Sequence, residues 1–309
     1  MRCLQTLREH YLAVRRSLGA KLTMTDWLLR QFIAFLAQRE AVFITTALAL
    51  EWASEPQGVQ MAWRARRLSE VRQFARYAHS VDPRHEVPPP RLLPRPRQRR
   101  QPHIYSDAEV LDLIGAAGDL SGRLRPRTYS TMLGLLWVTG MRSGEAVRLD
   151  RGDVDLRHGV LTIRQSKYGK SRLNLCHDST VQNLRDYAAW RDGHCPHPQS
   201  PAFFLSERAT RILPSTLQRT FRKLACQTGL REPADSYGPR LHDLRHSFSV
   251  RTLTRWYRDG ADVDRHLPRL STWLGHRCIA STYWYLTAVP ELMALAARRL
   301  DEQQRRDRS

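Results

Sequence analysis

The residues with the greatest chemical reach in this chain fall in four short stretches. LHDLRHSF (241–248) sets His242, Asp243, Arg245 and His246 between Leu241, Leu244 and Phe248. On a helix, His242 and Arg245 share a face at a spacing of three, and His246 joins them at a spacing of four. Imidazoles and a guanidinium aimed the same way, on a helix anchored by core-type side chains, suit an anion site; alone, H-x-x-R is a weak pattern that arises by chance in many chains. TGMRSGEAVRL (139–149) places Arg142 just after a Thr-Gly helix stop and Glu145 three residues on, where a carboxylate can hold a guanidinium. Taken alone, that is an ordinary helix ion pair worth about 0.2–0.5 kcal/mol. LGHRCIASTYWYL (274–286) reads as a turn with His276 at its tip, followed nine residues later by Tyr285, with Tyr283 nearby; aromatic residues here also suit a core. QSKYGK (165–170) carries Lys167 and Lys170.

These side chains need elements to hold them. GVLTIRQ (159–165) and SRLNLC (171–176) are β-like runs flanking SKYGK, which predicts a hairpin with lysines at its turn. TYSTMLGLLWVTG (128–140) predicts a strongly apolar helix stopped by Gly140, and Ser106 with Glu109 predicts a capping box that starts another. Further helices are expected from about 178 to 304, so this half of the chain is mainly α with a small β element. Residues 1–82 read as helices: TMTDWLLRQFIAFLAQRE (23–40) with Thr25 as a candidate N-cap, FITTALALEWA (43–53), and MAWRARRLSEVRQFARYAHS (61–80). Arg64, Arg66, Arg67, Arg72 and Arg76 of the last stretch suit a solvated face or a phosphate-facing one. Between the halves, residues 81–103 hold seven prolines and six arginines. Proline blocks helix, so this stretch predicts an extended spacer with a reach on the order of 60 Å. The expected layout is two domains, a helical one at 1–82 and a larger one at 104–309, joined by a linker at 83–103.

Charge sets the partner class. Fifty Lys+Arg against thirty Asp+Glu give a net +20, mostly through arginine, and 41% apolar residues suffice for packed cores. A surface that basic points to a polyanion such as nucleic acid. The first residues, MRCLQTLREHYLAVRRSLGAKL, are charged throughout, and no uncharged apolar run approaches a membrane span, so a cytoplasmic protein without membrane contact is expected. Five scattered cysteines, never spaced C-x-x-C, suit a reducing compartment. GHCPHP (193–198) gathers His194, Cys195 and His197, but a zinc site needs more ligands at ordered spacing, and a polar loop ending a helix is the better reading.

In order along the chain, R-x-x-E, a hairpin lysine, H-x-x-R-H, L-G-H and a tyrosine nine positions on resemble the tyrosine recombinase, or phage integrase, family. The resemblance covers about residues 104–300 through its motifs and reaches 1–82 more weakly. It implies an N-terminal helical core-binding (SAM-like) domain and a C-terminal α+β catalytic domain with a small sheet. It also implies roles: Arg142 and Arg245 on the scissile phosphate, Glu145 supporting Arg142, Lys167 as general acid, His242 and His276 as phosphate or proton-transfer partners, and Tyr285 as nucleophile. The nine-residue spacing favours Tyr285 over Tyr283, and the alignment of KYGKSR favours Lys167 over Lys170. Met141 stands where leucine is common, a change without chemical consequence.

The implied activity is site-specific DNA recombination through a 3′-phosphotyrosyl intermediate, with no cofactor, metal or ATP. The implied partners are double-stranded DNA, further copies of the chain assembling as a tetramer on DNA, and accessory or sister recombinases. The implied settings are integration and transposition of mobile elements. An apolar stripe in the tail (289–309), Leu292, Leu295, Ala296 and Leu300, is expected to pack on a neighbouring copy rather than on its own core. The rival readings are a catalytically inactive DNA-binding protein of the same fold, a type IB-like topoisomerase, and a metal-dependent nuclease, which would need a carboxylate-rich cluster that the sequence lacks.

Overall fold

The computed structural model describes residues 4–94, 101–164, 171–235 and 237–276, together with 278, 282, 292–294 and 297–298. The chain divides into two compact units, 1–100 and 101–309.

Among its described residues the first unit holds four helices: α1 (Leu4–Ser17), α2 (Thr23–Gln38), α3 (Thr46–Ser54) and α4 (Met61–Val81). Their apolar stripes close on one core that includes Leu7, Leu28, Phe32, Leu36, Trp52, Leu68, Val71 and Phe74. Two starts differ from expectation. α2 begins at Thr23, and the Thr25 hydroxyl donates to Glu70 at 3.0 Å instead of capping the helix. α3 begins at Thr46 because Thr45 is its N-cap, accepting from the Leu48 amide at 3.2 Å.

The arginines of α4 are used largely inside the fold. Arg67 is buried, donates to the Trp52 carbonyl at 2.7 Å and lies 3.8 Å over the Trp52 ring. Arg64 donates to the Pro56 carbonyl, and Arg72 to the carbonyls of Pro88 and Pro89. Those three are structural, which corrects the reading of the whole set as a solvated or phosphate-facing surface.

The proline-rich segment is not a free spacer from residue 83. His85 is buried and accepts from the Ile44 amide at 3.1 Å, the Glu86 amide donates to the Ile44 carbonyl, and Leu93 packs on the helical core. At its other end His103 pairs with Glu109 at 3.0 Å and Ile104 packs in the second unit. Only 94–102 remain between these anchors, which reach about 30 Å when fully extended, half the expected reach.

The second unit contains α5 (Asp107–Gly118), α6 (Arg125–Thr139), the short α7 (Ser143–Ala146), a 3-10 turn (Arg151–Asp153), strands β1 (Val154–Asp155), β2 (Val160–Ile163) and β3 (Arg172–Leu175), then α8 (Asp178–His194), α9 (Pro214–Gln227), α10 (Asp243–Arg258) and α11 (Val263–Leu274). Apolar α6 is central and packs on α5, α8 and α10. Its N-terminus has no cap of its own. Instead Glu207, from the loop after α8, accepts from the amides of Arg123, Leu124 and Arg125, placing a carboxylate at the positive end of the helix. The capping box of Ser106 and Glu109 forms in both directions. The expected hairpin forms as β2–β3, antiparallel with Leu161 opposite Asn174 and Ile163 opposite Arg172; β1 adds an outer strand that the sequence pattern did not reveal. Leu292 is buried in a cluster with Val250, Leu253, Val263 and Leu267, so this member of the tail stripe packs within its own unit. Leu295, Ala296 and Leu300 lie outside the described residues.

Candidate functional site

The site assembles on the C-terminal end of α11. Gly275 closes that helix in the left-handed region, at φ 65°, and the His276 amide turns back to the Ser271 carbonyl at 2.9 Å. Such a close leaves the last carbonyls of the helix without intrahelical donors, at the negative end of its dipole. Three consecutive carbonyls there are taken by three different arginines. Arg172 donates to Trp273 O at 2.7 Å, Arg245 to Leu274 O at 2.6 Å, and Arg142 to Gly275 O at 3.0 Å. Cations that would repel one another are gathered by one helix end.

Each arginine arrives on a different element. Arg142 is the N-cap residue of α7, just past the left-handed Gly140 that ends α6. Arg245 lies in the first turn of α10 and is buried; besides Leu274 O it donates to Gly140 O at 2.9 Å. The indole of Trp273 adds a bond to Thr139 O at 2.8 Å. The C-terminal ends of α6 and α11 are thus stitched together. A side chain at Gly140 would run into the Phe248 ring, so the glycine serves both the turn and the seating of α10. Leu241 and Leu244 join the main core, as their spacing suggested.

Glu145 is the buried counter-charge. Its carboxylate accepts from the Arg142 amide at 2.9 Å and side chain at 2.8 Å, and from both terminal nitrogens of Arg172 at 3.0 and 2.8 Å. Burial alone would raise its pKa; the hydrogen bonds and charge of Arg172, then those of Arg142, outweigh it and hold the carboxyl at about 2.

The histidines are neutral at neutral pH. Burial, then the charges of Arg245, Arg142 and Arg172, push His276 down to about 3, and its Nδ1 meets the Thr282 hydroxyl at 2.8 Å. His242, immediately before α10, is lowered to about 4 by its packed surroundings and then by Arg245, although one side stays open to water, which softens the effect. Its ring meets that of His246 edge-on at 4.9 Å, and His246 is lowered to about 4 by burial and by His242.

Five of the seven residues singled out from sequence therefore converge: Arg142, Glu145, His242, Arg245 and His276. Lys167 and Tyr285, with their rivals Lys170 and Tyr283, lie outside the described residues. Arg172 was missed. Its signal was faint, a polar residue alternating with leucines in SRLNL. Cys195 is buried at the end of α8, and among the described residues no group of three or more His, Cys, Asp or Glu side chains is placed to hold a metal ion.

Comparison with known proteins bears on the family and the fold. The model of the phage integrase family matches residues 106–291. The integrase/recombinase-type protein y4rB of Sinorhizobium fredii is 47% identical over 299 residues, 95% of each chain. The fold is similar to that of the Tn1549 transposon integrase in complex with transposon right-end DNA, at TM-score 0.67 and 16% identity over 97% of this chain and 99% of that one. It is also similar to lambda integrase in a tetramer bound to a Holliday junction, at TM-score 0.60 and 18% identity over 91% and 76%.

Proposed function

The chain belongs to the phage integrase family, and from that premise we propose that it is a site-specific DNA recombinase that cuts and rejoins strands through a 3′-phosphotyrosyl intermediate. The observation that carries this reading is the row of three arginines on consecutive carbonyls of one helix end, with neutral imidazoles beside them. Attack on a phosphodiester builds negative charge on the non-bridging oxygens, and donors fixed in advance stabilise that charge without reorganising. Arg142, a quarter exposed on its side chain, is the arginine best placed to fork onto a phosphate. Buried Arg245 fixes the geometry from behind, bonded to carbonyls at the ends of two helices.

The Tyr285 oxygen attacks phosphorus and its proton passes to neutral His242, the available acceptor. The bond from phosphorus to the 5′ oxygen breaks, and Lys167 protonates that leaving oxygen. The phosphoryl group is then held as a tyrosyl ester, and the 5′-hydroxyl of a second strand reverses the reaction on a new partner. No step draws on ATP or on a metal ion. His276, held by Thr282, donates a hydrogen bond to the phosphate. Double-stranded DNA is the substrate, and strand exchange between two duplexes calls for several copies of the chain, as in the lambda integrase tetramer. The domain limits that go with this function are a helical DNA-binding domain at 1–82, extended by the docked residues as far as Leu93, and a catalytic domain at 104–309.

The test is covalent capture. The protein is incubated with a pool of nicked duplexes of randomised sequence, and DNA that stays attached after denaturation is sequenced. Wild type is expected to yield adducts at a preferred sequence, and Tyr285→Phe none. DNA binding without adduct would favour an inactive DNA-binding protein, and plasmid relaxation without sequence preference a topoisomerase.

A further inference from the structure

β3 is built inside out. Its register sets Arg172 and Asn174 on the same face as the buried Leu161 and Ile163, while Leu173 and Leu175 point outward, each 65% exposed. Asn174 is fully buried opposite Leu161, and neither its amide nitrogen nor its amide oxygen has a hydrogen-bond partner among the described residues. A slip of one residue would turn both leucines inward and the asparagine out to water. Apolar burial and polar satisfaction both favour the slipped strand. The observed register therefore needs a counterweight on the inward face, and Arg172 is the residue that supplies it.

Its guanidinium is engaged on every nitrogen. Nε donates to Trp273 O at 2.7 Å, and Nη1 and Nη2 grip the two carboxylate oxygens of Glu145 at 3.0 and 2.8 Å. The approach is close enough that a Cβ on Gly275 would lie 2.8 Å from Nη1. The glycine of the L-G-H stretch thus gives room to Arg172 as well as closing α11. Glu145 in turn receives both the backbone amide and the side chain of Arg142.

We infer that Arg172 is a positioning residue for strand cleavage: it fixes the carboxylate that orients Arg142, and it locks the register of β3, the strand that follows Lys167 in sequence. This rests on the proposed recombinase reading. Arg172 acts through Glu145 and the hairpin, with no need to touch DNA. The charged groups facing Glu145 are Arg142 at the start of its own helix and Arg172 on β3; beyond them, His276 at the end of α11 and Arg245 on α10 act on the same cluster. With Arg172 removed, the Glu145 carboxyl loses the largest stabiliser of its ionised form and protonates at higher pH.

The experiment measures the single-turnover rate of covalent adduct formation by the full chain, from pH 4.5 to 8.5, on the duplex recovered most often from the randomised pool. Protein is saturating, and DNA affinity is measured in parallel. Arg172→Met should lower the rate on the order of tenfold or more at neutral pH with little change in affinity. It should also bring an acid limb up into this range, where wild type, with Glu145 held at about 2, shows none from that carboxyl. Arg172→Lys, which restores charge without the fork, should recover part of the rate and of the shift. In Arg172→Met combined with Glu145→Gln the upward shift should vanish, and the combined loss should fall short of the product of the single losses. A wild-type rate and acid limb in Arg172→Met, or full multiplicativity in the double variant, would overturn the inference and leave the recombinase reading standing. Should Arg172→Met fail to fold, the acid limb of Arg172→Lys decides alone. If wild type forms no adduct from the pool, the recombinase reading fails and this inference with it.

Discussion

At the scale of single residues, two arginines with the same expected duty occupy different environments. Arg142 keeps a quarter of its side chain in solvent, whereas Arg245 is buried and bonded to carbonyls at the ends of two helices. Both Arg142→Ala and Arg245→Ala should slow adduct formation on the order of 10²-fold or more, the first by removing a preorganised donor and the second by unseating the helix ends that hold it. They should part on stability. Arg245→Ala leaves Gly140 O and Leu274 O without their donor, which should cost about 2–5 kcal/mol in urea unfolding, while Arg142→Ala should cost much less. Equal unfolding midpoints for the two variants would contradict this assignment. The family wording pointed to both arginines; the distinction between them depends on which helix ends meet, and no local pattern reveals that.

At the scale of elements, β3 shows where pattern reading stops. SRLNL alternates polar and apolar residues, and the usual inference puts leucines inside. Here the inward positions go to Arg172 and Asn174. The unpaired Asn174 amide is the visible cost, and it gives a direct prediction. Asn174→Leu, close in size and facing Leu161, should stabilise the second unit by about 1–3 kcal/mol, because it removes a buried amide that has no partner among the described residues. Thermal unfolding checks this, and a lower midpoint would mean that the amide is stabilised in a way the strand geometry does not reveal. α6 shows the converse limit. Its C-terminal stop at Gly140 was legible, but its N-terminal cap comes from Glu207, some eighty residues away in sequence, and local capping signals cannot show it.

At the scale of the whole molecule, acid should destabilise this protein more than its carboxylates alone require. His242, His246 and His276 have pKa values below the ordinary 6.5 when folded. As pH falls below about 6.5 the unfolded chain takes up these protons first, so stability drops from there until the folded histidines also charge near 4 and 3. Glu145, held at about 2 against an ordinary 4.5, adds a loss that begins near 4.5 and continues toward 2. The net charge of +20 at pH 7 rises over the same range and adds repulsion. Unfolding midpoints measured from pH 7.5 to 4 should therefore fall steadily from about 6.5 downward. Duplex DNA should offset the loss by raising the midpoint, since a polyanion that binds only the folded state stabilises it by mass action. A flat midpoint between pH 6.5 and 5 would show that the histidines are not held neutral.

The sequence by itself determined the helical character of both halves, the hairpin, the helix stop at Gly140, the capping box at Ser106, and a family motif order that singled out Arg142, Glu145, His242, Arg245 and His276. Those are local matters: periodicity, turn chemistry and side chains at short spacing are written along the chain. Tertiary structure alone decided that three arginines, from the start of α7, β3 and α10, meet on three successive carbonyls at the end of α11, that Arg172 grips Glu145, and that half of the proline-rich segment docks on the first unit. The physical reason is common to all three. A charge or carbonyl is satisfied by whichever partner the packing brings within about 3 Å, and that partner's distance along the chain leaves no trace in the order of residues.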